Sequence, residues 1–138
     1  MRLVPDRVWA GLTIAQEASN QDYPVKLGVA EVIRDRTRRH WASDGTVPGT
    51  VLHAYQFSGW NTKDPNRIRV AGADDNDPVI ADCLRAWDEA LLNTTATVLG
   101  AVMYHDTSVT PDWIPNFIRT CQVGAMIFYA TKPPPTAL

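Results

Sequence analysis

The feature that most constrains the fold is a change of hydrophobic period about two-thirds of the way along the chain. Up to about residue 93 the apolar residues recur at helical spacing; from residue 101 they alternate, as on half-buried strands. Helices followed by strands imply an α+β arrangement, mainly helical, with a small antiparallel β-sheet toward the C-terminus.

Local signals set the bounds. A first helix is expected over residues 6–18, starting at Pro5 or Asp6. Val8, Leu12 and Ala15 share one face, and Trp9, Ala10 and Ile14 make the other sides apolar, so this helix reads as buried nearly all round. A second helix is expected over residues 25–41, entered after Pro24. Val25, Val29, Val32, Ile33, Arg36 and Thr37 lie on its inner stripe, with Arg34, Asp35, Arg38 and Arg39 expected outside. Residues 42–76, rich in Gly, Pro, Asp and Asn, read as a loop with a short helix near residues 51–55. Asp77-Pro78, a cap residue followed by proline, opens a third long helix that ends around Asn93. A strand over residues 101–105 and a hairpin of 119–122 with 126–129 about Gly124 complete the pattern. The expected organisation is one domain over residues 1–131 and a proline-rich tail over 132–138.

A chain of 138 residues suits one compact domain with its own core. A net charge of -2 argues against nucleic acid as the partner, because phosphate binding needs a basic excess. No segment approaches the roughly 18 apolar residues of a membrane span, so no membrane insertion is expected. Residues 1–17 lack the basic start, apolar run and cleavage site of a secretion signal, and read as mature structure. A monomer is expected.

Three groups of residues could carry chemistry. Glu17 ends an apolar helix, where burial and the negative end of the helix dipole both disfavour a charged carboxylate. A carboxylic acid that keeps its proton near neutral pH can protonate the leaving oxygen of a glycosidic bond. The loop segment Gln56-Phe57-Ser58-Gly59-Trp60-Asn61 offers amides, a hydroxyl and flat aromatic faces suited to sugars, or else a loop anchored in the core by Phe57 and Trp60. Tyr104-His105-Asp106 closes a strand, with Trp113 beyond it; Tyr104 and His105 should project to opposite faces.

Rival chemistries find little support. His40, His53 and His105 show no HExxH or other short zinc-ligand spacing. Cys83 and Cys121 form no CxxC; buried thiols are the expectation, with a disulfide left open. Asp74, Asp75 and Asp77 miss the spacing of a calcium loop. Asn93-Thr94-Thr95 is a bare glycosylation sequon.

In order along the chain, "AQEAS", "GVAEVIRDR", "TVPGTVLHAYQFSGW", "GAVMYHDTSVTPDW" and "RTCQVGAMIFY" resemble the motifs of the SleB/CwlJ-type cell-wall hydrolases, found in spore-cortex-lytic enzymes and phage lysins. Asp35 stands where that family usually has Asn. Ser19-Asn20-Gln21 replaces the usual R-G-E, and Ala125 and Met126 fill the place of an Asn-His pair. The resemblance implies a lysozyme/lytic-transglycosylase-like domain that cuts the β-1,4 bond between N-acetylmuramic acid and N-acetylglucosamine in peptidoglycan glycan strands. It places the catalytic acid on Glu17, needs no metal or cofactor, and assigns substrate binding to Gln56, Ser58, Trp60, Tyr104 and His105. Trp113 is weighed between stacking on a sugar and closing the core, and Asp35 and Arg36 are expected to hold their helix.

The product implied is a 1,6-anhydro sugar, because in such a transglycosylase the substrate's own 6-hydroxyl is the nucleophile and one carboxylate suffices. Hydrolysis as in lysozyme would need a second acid; Glu31, expected in solvent, and Asp106 are the candidates. A catalytically inactive glycan-binding or virion structural domain is the alternative. The expected setting is a phage lysin or virion-borne hydrolase, made in the host cytoplasm and acting on the cell wall.

Overall fold

A computed structural model describes residues 4–53, 57, 77–92 and 96–133. Among these residues the elements are α1 (Asp6–Ala18), α2 (Tyr23–Arg39), α3 (Val47–Val51), α4 (Pro78–Leu91), β1 (Met103–Asp106), a 3-10 turn (Ile114–Asn116), β2 (Phe117–Val123) and β3 (Met126–Thr131).

Cap chemistry explains most boundaries. The α1 span coincides with the expected one. α2 starts two residues earlier than expected, with Pro24 in its first turn, and stops at Arg39 because His40 turns left-handed (φ 54°). The amides of His40 and Trp41 then satisfy the last carbonyls, those of Arg36 and Thr37. The short helix lies at Val47–Val51, slightly before the expected position, because Thr46 caps it by accepting from the Gly49 amide at 3.0 Å. Asp77 caps α4 through the Val79 amide at 2.8 Å, as its sequence position implies.

α1 and α2 both pack on α4, and α3 closes against α1 and α2. The approach of α1 to α4 is close: a Cβ on Gly11 would lie 2.6 Å from Leu84 Cδ2. The three-stranded sheet has order β1-β3-β2, antiparallel throughout, with a bulge between Arg119 and Cys121. Gly124 supplies the left-handed turn (φ 54°) of the β2–β3 hairpin.

One sheet face completes the core. Tyr104 pairs with Phe128 in register and the two rings lie 5.7 Å apart. Phe128 is fully buried and packs toward Gly28 on α2. The other face carries an aromatic cluster of His105, Tyr129, Trp113 and Phe117, continued by Trp41 at 6.2 Å from Phe117. Trp113 is half-buried within it.

Two expectations for α2 are overturned. Glu31, expected in solvent, is fully buried and accepts from the Val98 amide at 3.3 Å. Arg34, expected outside, is also buried; it pairs with Asp35 at 3.0 Å and donates to the Ala90 carbonyl at 2.7 Å. The physical reason is position: α2 is covered by α1, α4 and the residues leading into the sheet, so its "outer" side is inside the domain.

Cys83 and Cys121 are free thiols, one in α4 and one in β2. The Asn93-Thr94-Thr95 sequon, Asp74, Asp75 and the tail beyond Pro133 lie outside the described residues. No helix among the described residues is long and apolar enough to cross a membrane.

Candidate active site

Three elements bring one polar cluster together. α1 delivers Glu17 in its last turn, half-buried. β1 delivers Tyr104, whose hydroxyl is hydrogen-bonded to the Glu17 side chain. α2 delivers Arg36, 3% exposed, close enough for its charge to act on both.

The electrostatics follow from this packing. Tyr104 is partly exposed as a residue, but its hydroxyl end is desolvated. Burial first, and then the negative charge of Glu17, raise its pKa well above the ordinary tyrosine value; Arg36 opposes that rise. Burial brings Arg36 down to about 10, with Tyr104 and Glu17 pulling the other way.

Arg36 is held from several sides. Its Nε donates to the Val102 carbonyl at 2.6 Å, and its Nη2 reaches Met103 Sδ at 3.5 Å. Its guanidinium lies 4.9 Å from the Trp41 ring centroid and 4.8 Å from that of Phe57. Among the described residues, Nη1 is buried with no hydrogen-bond partner. Gln16, the residue before Glu17, is 8% exposed, and neither end of its amide has a partner among the described residues.

The structure therefore brings Glu17 and Tyr104 together and turns His105 away. His105 is buried on the opposite sheet face, with Nδ1 2.7 Å from the Asp106 carbonyl and Nε2 2.8 Å from the Tyr129 hydroxyl. Both ring nitrogens are thus engaged within the protein. Gln56, Ser58 and Trp60 lie outside the described residues; between them, Phe57 is core, 2% exposed.

Neither alternative acid is idle. The Glu31 carboxylate serves the Val98 amide, and Asp106 accepts from the Ser108 amide at 2.8 Å in a tight turn. The side-chain and backbone hydrogen bonds of Ser108 hold the Asp106 carboxyl below its usual range. Among the described residues, no three His, Cys, Asp or Glu side chains are gathered around a common point where a metal ion would sit.

Sequence reasoning undervalued Arg36, assigning it to the helix alone. The available signal was a permanent cation on the apolar stripe of α2, where a charge needs a partner.

Comparison with known proteins gives a family and a fold. A family model described as Cell Wall Hydrolase matches residues 20–129, a span that begins just after Glu17. Among solved structures, the catalytic domain of the germination-specific lytic transglycosylase SleB from Bacillus anthracis is similar, with a TM-score of 0.71 and 19% identity. The match covers 91% of this chain and 99% of that one. The catalytic domain of the Bacillus cereus SleB protein matches with the same TM-score of 0.71 and 19% identity, over 90% of this chain and 88% of that one. At this identity the likeness shows a shared fold. No curated protein matches the chain.

Proposed function

The chain belongs to the cell wall hydrolase family, and from that premise we propose that it degrades peptidoglycan, cutting the β-1,4 bond between N-acetylmuramic acid and N-acetylglucosamine with Glu17 as the catalytic acid. The observation that carries this reading is the hydrogen bond between Tyr104 and Glu17 at the meeting of α1, α2 and β1. It fixes a half-buried carboxyl group in one orientation, as general acid catalysis requires.

Glu17 first donates its proton to the bridging oxygen as the C1–O bond breaks through an oxocarbenium-like state. The ionised Glu17 then takes the proton of the muramic acid 6-hydroxyl, whose oxygen closes onto C1. The product is a 1,6-anhydro end, and Glu17 regains its proton. This route is favoured over hydrolysis because Glu31 and Asp106 are both engaged elsewhere. The Bacillus anthracis SleB catalytic domain, that of a lytic transglycosylase, points the same way. Gln56, Ser58 and Trp60 are proposed to contact the sugars.

The test is digestion of purified peptidoglycan by the wild-type protein and by Glu17→Gln, with fragments weighed by mass spectrometry. Anhydro-muropeptides from the wild type are expected, with a loss of about 10²–10⁴-fold in the variant. Reducing-end fragments would move the reaction to hydrolysis. Free stem peptides, or full activity in Glu17→Gln, would remove the proposal.

A further inference from the structure

Arg36 is a cation on α2, most of whose residues are buried, and is itself 3% exposed. Burying a guanidinium is costly unless partners offset the lost water. Here the contacts are specific: Nε to the Val102 carbonyl, Nη2 to Met103 Sδ, and the flat group 4.9 and 4.8 Å from the Trp41 and Phe57 ring centroids. Val102 and Met103 lead directly into Tyr104, which is hydrogen-bonded to Glu17. The guanidinium is thus fastened to the backbone just before the residue that holds the proposed acid, and Nη1 remains buried with no partner among the described residues.

We infer that Arg36 is a positioning residue for the cleavage: it anchors the start of β1 that presents Tyr104, and its charge stabilises the Glu17 carboxylate left when the proton passes to the glycosidic oxygen. The inference rests on the reading of Glu17 as the acid. In the first step the Glu17 O–H bond breaks and an O–H bond forms on the leaving sugar, whose oxygen keeps the electron pair of the broken C1–O bond. In the second, the 6-hydroxyl oxygen bonds to C1 and its proton returns to Glu17. Negative charge lives on Glu17 between the two steps, and a fixed cation in a poorly solvated site favours that state without having to reorganise.

Most of the other charged groups on the packed elements have partners of their own. On α2, Lys26 donates to the Gln21 carbonyl, Glu31 accepts from Val98, and Arg34 pairs with Asp35. Arg38 and Arg39 are exposed beyond Arg36, and Arg39 donates to the Gly100 carbonyl. On α4, Asp82 pairs with Arg85, Asp88 with Arg7 of α1, and Glu89 accepts from Tyr23. α3 contains no titratable residue, and on β1 His105 faces the other side while Asp106 serves Ser108. The charges acting on the Tyr104 hydroxyl are those of Glu17 and Arg36.

The test is the pH profile of muropeptide release by wild type, Arg36→Met and Arg36→Lys, with folding followed by circular dichroism. Activity falls at high pH as Glu17 loses its catalytic proton. Removing a nearby positive charge makes that proton harder to lose, so the alkaline limb of Arg36→Met is expected to move to higher pH. Its maximal rate is expected to drop roughly tenfold or more. Arg36→Lys keeps the charge but not the fork, so its limb should stay near that of wild type while its rate falls. If Arg36→Met does not fold, Arg36→Gln replaces it, with the same shift expected. A folded neutral variant that loses rate with an unmoved limb would make Arg36 a packing residue and overturn the inference alone, provided Glu17→Gln is inactive. An active Glu17→Gln would overturn the reading of Glu17 and the inference with it.

Discussion

The Tyr104 hydroxyl is hydrogen-bonded to the Glu17 side chain, joining the last turn of α1 to β1 across 87 positions of sequence. Each residue comes from an element whose placement depends on α2: α1 packs along it, and the residues entering β1 are tied to it by Arg36.

Tyr104→Phe removes that hydrogen bond and leaves the ring packed on Phe128. A hydrogen bond to a charged group contributes about 1.5–3 kcal/mol, so the maximal rate should fall by roughly 10- to 100-fold with the fold retained. Steady-state release of muropeptides checks this. An unchanged rate would separate Tyr104 from the chemistry.

Gln16→Met should stabilise the protein. Both ends of the Gln16 amide are buried without partners among the described residues, and leaving such groups unsatisfied costs about 1–3 kcal/mol. Methionine has a similar volume and no polar amide. A higher urea midpoint with an unchanged slope is expected; a lower midpoint would mean that the amide is satisfied in solution.

Gly28→Ala should destabilise it. The added Cβ would lie 2.9 Å from Phe128 Cζ and 3.0 Å from Val98 Cγ1. Overpacking costs about 1–3 kcal/mol, against about 1 kcal/mol gained in helix propensity. Since Phe128 also carries the Tyr104 ring, the variant should lose activity more steeply on warming than wild type. Parallel melting and activity curves test both points, and a stabilised variant would contradict the packing described.

Stability should decline in alkali. Burial pushes the Cys83 thiol from 9.0 up to about 12 and the Tyr23 phenol from 10.0 up to about 12, the latter helped by its hydrogen bond to Glu89. Tyr104 is also raised, by burial first. Each group holds its proton more tightly folded than unfolded, so its contribution is complete below the unfolded pKa and is lost as pH climbs toward the folded one. Melting temperatures should therefore fall from about pH 9 upward. The decline should begin later in Cys83→Ala. A flat profile to about pH 11 would refute this account.

The secondary structure was legible because its causes are local. Asp77-Pro78 starts α4 through a cap bond two residues long, and Gly124 turns the β2–β3 hairpin because a left-handed position suits glycine. The alternation of Tyr104 and His105 was readable too, since strand geometry alone sends them to opposite faces.

What only the tertiary structure decided is which charges go inside and which residues meet. Glu31 and Arg34 lie one turn apart on the side of α2 away from its apolar stripe, and both are buried because other elements cover that side too. Helical period identifies the most apolar face, but it carries no information about what covers the remaining faces. The contact of Glu17 with Tyr104 is likewise invisible to any local pattern. It exists because packing on α2 brings together two segments that no short-range hydrogen bond, cap or period connects.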